Sequence, residues 1–297
     1  MADGMGTYWS TYVQHSEELY ASRSMRFRED NADQWLKLLR IEDGMKILEI
    51  GCAGGIFTHR IKQFCPNCEV VGIDRDKKHI DFARAKAAEF GLDCTYEVAD
   101  ALSLPFPDNT FDLCYSYTVI NFCDSMAFVK EQQRVLKSGG IISVANSKRA
   151  ISRENWMPND GDDEKELFDK LWGEADKNEL SQIKNYPITF HEYPPLLERA
   201  GFDKINVDIY STVAYCPDNH DTPDDVAIDQ INEQRLSDIA SVIKARAMAP
   251  DALSDTEFAE LLAQINRRFD RRIEIYRSGE KIWDFASSDP FSVSGVK

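Results

Sequence analysis

Between Gly44 and Ser147 the chain alternates short apolar runs with stretches of helical periodicity, and no other feature limits its fold so strongly. Met45 to Ile50 reads as a buried strand, followed by a glycine-rich turn and a helix carrying Ile56, Phe57, Ile61 and Phe64. Glu69 to Asp74 reads as a second strand. The helix after it sets Ile80, Ala83, Ala87 and Phe90 on one face and stops at Gly91. Cys94 to Val98, Phe111 to Ser116 and Ile141 to Ala145 complete five strands, with a helix from about Ser125 to Leu136 that ends at Gly139-Gly140. Strand and helix succeeding one another at this pace require crossover connections. The expected class is α/β, with a mostly parallel sheet and helices on both faces.

The second half is less regular. His191 to Ala200 reads as a short helix stopped by Gly201. Lys204 to Val213 alternates as an antiparallel or edge strand would, and Phe291 to Lys297 again reads as a strand. Two helical stretches, Val226 to Met248 and Asp255 to Arg277, lie between them. The domain reading is an N-terminal helical segment at 1–43, a core at 44–216 with an insertion at 148–186, a helical insertion at 217–288, and a final core strand at 289–297. Connections leaving the carboxyl ends of a parallel sheet line its ligand crevice. The first insertion, and part of the second, therefore read as a substrate cover.

Glu49-Ile-Gly-Cys-Ala-Gly-Gly55 stands directly between strand and helix. Glycines let a backbone turn sharply and approach a ligand, and a helix N-terminus offers unpaired N–H groups to an anion. The dinucleotide fingerprint Gly-x-Gly-x-x-Gly is not matched, because Gly51 is followed by Ala53 and the adjacent pair Gly54-Gly55. Asp74 ends the second strand, where a carboxylate accepts from both ribose hydroxyls. Asp100, followed by Ala101, comes after the third, where a carboxylate accepts from an exocyclic amine. An acid at each of two successive strand ends suits a nucleoside ligand without phosphate.

These stretches resemble class I S-adenosylmethionine-dependent methyltransferases, in particular a small-molecule subgroup similar to the ubiquinone-biosynthesis methyltransferases. The resemblance rests on Ile47 to Gly55, Val71 to Asp74, Val98 to Asp112 and Glu131 to Ile142, and more weakly on Leu196 to Phe202. It implies a Rossmann-like, mostly parallel seven-stranded sheet with helical insertions forming a cover. It also implies S-adenosylmethionine as methyl donor, S-adenosylhomocysteine as product and a small-molecule acceptor. By the same resemblance Glu49, Gly51, Cys52, Ala53 and Gly55 shape the loop around the methionine part. Asp74 holds the ribose, Arg75 flanks the adenine, and Asp100 and Ala101 contact its edge. Tyr117 follows the fourth strand, near the reactive methyl. Ala53 stands where the family has its middle glycine, and Asn121 where many relatives have histidine.

Ahead of the first strand, Tyr8, Trp9, Tyr12 and Tyr20 carry two readings. They fold over the cofactor as an aromatic face for a sulfonium cation, with Tyr12 and Tyr20 foremost, or they pack a helix onto the sheet.

The composition narrows the function further. A formal net charge of −16 opposes a nucleic-acid partner, and the one basic cluster, Arg267, Arg268, Arg271 and Arg272, reads as a solvated helix face. No apolar run is long enough to span a bilayer and the N-terminus is not a secretory signal, so the expected location is the cytoplasm with no membrane partner. Seven cysteines show no disulfide framework. Cys65-Pro-Asn-Cys68 lacks the second ligand pair of a structural zinc site, so no metal is expected.

An activated methyl mainly needs a nucleophile in line and water excluded. A neutral amine needs little base assistance, whereas a hydroxyl needs deprotonation. The catalytic candidates are His191, just past the first insertion, Tyr117 and Asn121; His59 and His79 read as structural. Asp160 to Glu179 and Asp218 to Glu233 each carry a net −6. As a rim to the substrate entrance they would favour a cationic or neutral amine; otherwise they are solvated loops. Transfer to protein or RNA, and a non-catalytic cofactor-binding subunit, are the alternatives. The oligomeric state is not legible.

Overall fold

The five apolar runs of the first half become neighbouring parallel strands in a computed structural model that describes residues 9–10, 15–24, 26–148, 163–182, 188–210 and 212–297. They are β1 (Lys46–Ile50), β2 (Glu69–Asp74), β3 (Thr95–Val98), β4 (Phe111–Tyr117) and β5 (Leu136–Lys148). Three more strands follow in the chain, β6 (Asp203–Ile209), β7 (Thr212–Tyr215) and β8 (Ala286–Val296). The main order is β3-β2-β1-β4-β5-β8-β6, with β8 antiparallel to both neighbours and β7 pairing the first residues of β8. The expected seven-stranded, mostly parallel sheet is what forms. Its order reverses between β1 and β4, where Ile47 faces both Val70 and Leu113. An open α/β sheet leaves its ligand crevice at that switch point.

Side chains on a strand alternate between faces, so a sheet covered on both sides buries consecutive residues. Ile47 and Leu48 are both fully buried, on opposite sides. Leu48, Ile50, Cys114 and Val144 pack against α5 (Ser125–Val135) and α7 (Tyr193–Ala200) through Phe128, Val129 and Leu196. Ile47, Leu113 and Tyr115 pack against α2 (Ala32–Leu39) and α3 (Ile56–Phe64) through Trp35, Leu39, Phe57 and Ile61. A further helix, α4 (Lys77–Glu89), sets Ile80, Ala83 and Ala87 against Cys52 and Tyr96. Phe90 does not join that face; it caps the helix end and is largely exposed.

Three boundaries depart from expectation, each for a local reason. Helix α5 stops at Val135 because Leu136 turns extended to pair with Phe111, and β5 begins there. Gly139 and Gly140 lie inside that strand, at a register shift, with Gly139 in the left-handed region and both backbones bonded to Lys297. The single strand expected from Lys204 to Val213 is two, β6 and β7. Tyr210 donates to the carbonyl of Pro290, which has no N–H to return.

The chain divides into two compact units. One comprises Met1–Lys148, Lys184–Tyr210 and Asp289–Lys297, and the other Arg149–Ile183 and Ser211–Ser288. The second contains α6 (Asp163–Gln182), α8 (Asp224–Met248) and α9 (Asp255–Arg277), which pack through Leu171, Ile231, Val242, Leu261, Ile265 and Phe269. Both sequence insertions thus fold together.

The arginine cluster on α9 is only partly a solvated face. Arg267 and Arg271 are exposed, whereas Arg272 is buried and bonds Asp284 at 2.7 Å and Asp218 at 2.8 Å. Its position explains this: Leu261, Ile265, Phe269 and Arg272 share one stripe at helical spacing, and the stripe faces the core. Asp218 also accepts from the backbones of Ile282 and Trp283, and Tyr215 donates to Asp284. Several residues of the acidic stretches are therefore bound within this unit. Glu164 pairs with Arg268 and Asp224 accepts from Tyr276, so Asp218, Glu164 and Asp224 are not free charges on a rim. No helix among the described residues is long and apolar enough to cross a membrane.

Candidate cofactor and active site

At the switch point the loop after β1 is pinned to the end of β2. The N–H groups of Gly51 and Cys52 donate to the Ile73 carbonyl at 2.8 and 2.9 Å, and that of Ala53 to Asp74 Oδ2 at 3.0 Å. Asp74 Oδ1 accepts from Asp76 N at 2.9 Å, so the carboxylate ties both loops together while keeping lone pairs for a ligand. Burial pushes its carboxyl above the ordinary range, against the pull of those two N–H groups.

Gly51 and Gly55 both lie in the left-handed region, at φ of 71° and 80°. A Cβ on Gly51 would meet Val119 Cγ2 at 2.4 Å, and one on Gly55 would meet Tyr96 Oη at 2.7 Å. Ala53 takes φ of 48° despite its Cβ. Left-handed backbone costs an L-residue about 1–2 kcal/mol, partly offset by the greater freedom of glycine in the unfolded chain. Ala53→Gly is therefore expected to stabilise the protein by roughly 0.5–1 kcal/mol in urea unfolding. A lower midpoint would show that the loop carries no such strain.

The loop borders a cavity of about 240 Å³ within the sheet-bearing unit. Glu49, Gly51, Cys52, Ala53, Asp74, Arg75, Asp100, Ala101, Tyr117 and Tyr20 all line it. Gly55 does not; it caps α3 and supports the loop from behind. Asn121 lies in the 3-10 turn Ile120–Phe122 and accepts from Tyr193 Oη at 3.5 Å, outside the lining. His191 is exposed, stacked on Phe190 in the 3-10 turn Phe190–Glu192, and is not brought to the cavity. Tyr8 and Tyr12 lie outside the described residues.

Trp9, one of the aromatic residues named ahead of the first strand, lines the cavity, and Arg23 and Phe122 are among the lining residues that the sequence did not single out. Arg23, in the last turn of α1 (Ser16–Ser24), donates to Thr118 Oγ1 at 3.2 Å, with its guanidinium 5.9 Å from the Tyr117 ring. Burial pushes Arg23 down to about 10, which leaves it charged at neutral pH. Trp9 and Phe122 close another part of the wall, edge to face at 4.6 Å. No periodic pattern announces these positions.

Two acids and two histidines complete the electrostatics. Glu49 is buried, accepts from Thr58, and is pushed by burial up to about 7. Tyr117 is also buried and its hydroxyl has no hydrogen-bond partner among the described residues. Helix α1 docks through Ser16 Oγ to His79 Nδ1 at 2.8 Å and Tyr20 Oη to His59 Nδ1 at 3.1 Å. Ser10 N also donates to Asp76 Oδ2 at 2.8 Å.

Burial lowers His59 from 6.5 to about 4. Above 6.5 neither folded nor unfolded His59 is charged and it contributes nothing. Below 6.5 the unfolded chain takes up the proton first, so stability falls as pH drops towards 4. His59 is expected to cost about 1–2 kcal/mol at pH 5 relative to pH 7. Urea unfolding at the two pH values checks this, and His59→Asn should flatten the difference; an equal loss in that variant would assign it elsewhere.

Comparison with known proteins agrees with this geometry. A family model described as a methyltransferase domain matches residues 41–201, more than half of the chain. A phosphoethanolamine N-methyltransferase of Arabidopsis thaliana is 33% identical over 125 residues, 41% of this chain and 25% of that protein. A demethylmenaquinone methyltransferase of Thermus thermophilus is 37% identical over 100 residues, 33% of this chain and 46% of that protein. The chain thus matches a quarter to a half of the length of these relatives. Among solved structures, phosphoethanolamine N-methyltransferase 2 of Haemonchus contortus, with phosphomonomethylethanolamine and S-adenosylhomocysteine, superposes with a TM-score of 0.54. It is 16% identical, and the match covers 98% of this chain and 59% of that one, which is a likeness of fold. On the family match, this chain belongs to the methyltransferase domain family.

Proposed function

We propose that the protein transfers a methyl group from S-adenosylmethionine to a small-molecule amine. The observation that carries the cofactor reading is the lining of one cavity by the glycine loop, Asp74 and Asp100 together. The residues present suit that ligand. Asp74 accepts from ribose hydroxyls, and Asp100 and Ala101 meet the adenine edge, with Arg75 beside it. Arg23 is the one cation of the lining that sits near Glu49 and Tyr117, suited to the methionine carboxylate, while Glu49 takes its ammonium. The unpartnered Tyr117 hydroxyl and the Trp9, Tyr20 and Phe122 rings face the same space, and rings of this kind attract a sulfonium. When bound, the cofactor supplies an activated methyl and leaves as the neutral thioether S-adenosylhomocysteine.

The amine reading rests on the described lining having no base left over for an acceptor, because its acids Glu49, Asp74 and Asp100 are all taken up by the cofactor in this reading. Among the described residues lining the cavity the one histidine, His79, bonds Ser16 and is held below its ordinary pKa by burial. A neutral amine attacks with its own lone pair and gives its proton to water afterwards, so no base is needed. The relatives named phosphoethanolamine N-methyltransferases fit this chemistry. Rates with labelled S-adenosylmethionine and matched panels of small primary amines and phenols test it. Amines should be methylated, with a rate that rises with pH as the free base of the acceptor accumulates. Transfer to phenols alone would replace the amine reading with one that needs a base.

A further inference from the structure

We propose that Asp43, Cys65 and Cys68 form a binding site for a thiophilic divalent cation of the zinc class. No part of the methyl-transfer reading uses these residues. The sequence shows only Cys65-Pro-Asn-Cys68, but the fold brings a third ligand from a separate segment. Asp43 precedes β1, and the two cysteines flank the turn that joins α3 to β2. One ligand atom from each of the three lies within 4.8 Å of the others. Tetrahedral zinc with sulfur at about 2.3 Å and oxygen at about 2.0 Å holds its ligands roughly 3.5–3.8 Å apart, so closing on an ion needs a contraction of no more than about 1.3 Å.

The turn is organised for this before any ion arrives. Cys68 N donates to the Cys65 carbonyl at 3.1 Å, and Lys62 Nζ ties the Pro66 and Cys68 carbonyls at 2.8 Å each. Asn67 aims the Asp43 carboxylate, donating from its backbone N–H at 3.0 Å and from Nδ2 at 2.6 Å. A carboxylate offers about four lone-pair sites, so two remain for a metal. Asp43 is exposed and forms the entry, while both cysteines are buried. Three protein ligands leave a fourth position for water.

A dithiol–disulfide switch is the competing use of such a pair, and the surroundings argue against it. Asp43 is what sets the site apart from a bare thiol pair: a disulfide needs no carboxylate, whereas a divalent cation takes one as its third ligand. Metal binding supplies its own driving force: the cation forms two metal–sulfur bonds and both thiol protons leave to solvent. Such an ion would tether the far end of α3, whose near end closes the cofactor loop, to the start of β2.

The test is titration of the reduced, full-length protein with cobalt(II) and then zinc(II). The expected result is one equivalent of cobalt bound with release of two protons and a thiolate-to-metal charge-transfer band, and displacement of that cobalt by zinc with no further proton release. The Cys65→Ser, Cys68→Ser double variant should lose the band. Asp43→Asn, at an exposed position, keeps the fold and should weaken zinc by at least roughly tenfold. Cobalt bound without the band, zinc affinity unchanged in the double variant, or a loss of 2 Da on air oxidation with no metal uptake would overturn the proposal.

Discussion

Arg272→Met is expected to destabilise the helical unit by about 3–5 kcal/mol, the cost of leaving buried charges without their partner. Arg272, Asp218 and Asp284 are all essentially inaccessible, and the arginine is the only cation bonded to either acid side chain among the described contacts. Methionine fills a similar volume and keeps the apolar stripe of Leu261, Ile265 and Phe269, so packing is little changed. What is lost is the countercharge to two buried carboxylates. Urea unfolding followed by circular dichroism should show a lower midpoint. The triple variant Arg272→Met, Asp218→Asn, Asp284→Asn should recover part of the loss. A single variant within about 1 kcal/mol of the parent would mean that water already reaches these acids.

Asp74→Ala is expected to weaken S-adenosylmethionine by about 1.5–3 kcal/mol, roughly a 10- to 150-fold rise in Kd. The side chain has two tasks here, because it also accepts from the backbones of Ala53 and Asp76. Asp74→Asn separates them. It retains an acceptor oxygen of the same shape for one N–H group but removes the charge that favours two ribose hydroxyls. Calorimetry with S-adenosylhomocysteine should place the asparagine variant between the parent and the alanine variant. Parental affinity in both would remove the ribose role from Asp74.

The sheet was legible in the sequence because its strands are buried on both faces and their runs end at turn residues; Glu69 to Asp74 is reproduced residue for residue. The loop and its two acids were legible for a related reason, since a strand end fixes where a side chain can point. Arg23 and Phe122 were not. They belong to segments without periodicity, and only tertiary docking through Ser16, Tyr20 and their histidines brings α1 to the cavity. His191 shows the opposite case: its place just past the first insertion made it a candidate, whereas it is exposed and does not line the cavity. Arg272 could have been found, because its spacing from Phe269 and Ile265 puts it on the apolar stripe. Reading four arginines as one charged face hid that phase. Asp43 could not have been paired with Cys65 and Cys68, because that contact depends on how β1 and β2 register.

The most direct test follows labelled methyl from S-adenosylmethionine into an extract of the host, separated into small-molecule and macromolecular fractions. Transfer to a small-molecule amine predicts label in the small-molecule fraction, retained on a cation exchanger, and its loss with the Asp74→Ala variant. Label confined to protein or RNA would contradict it.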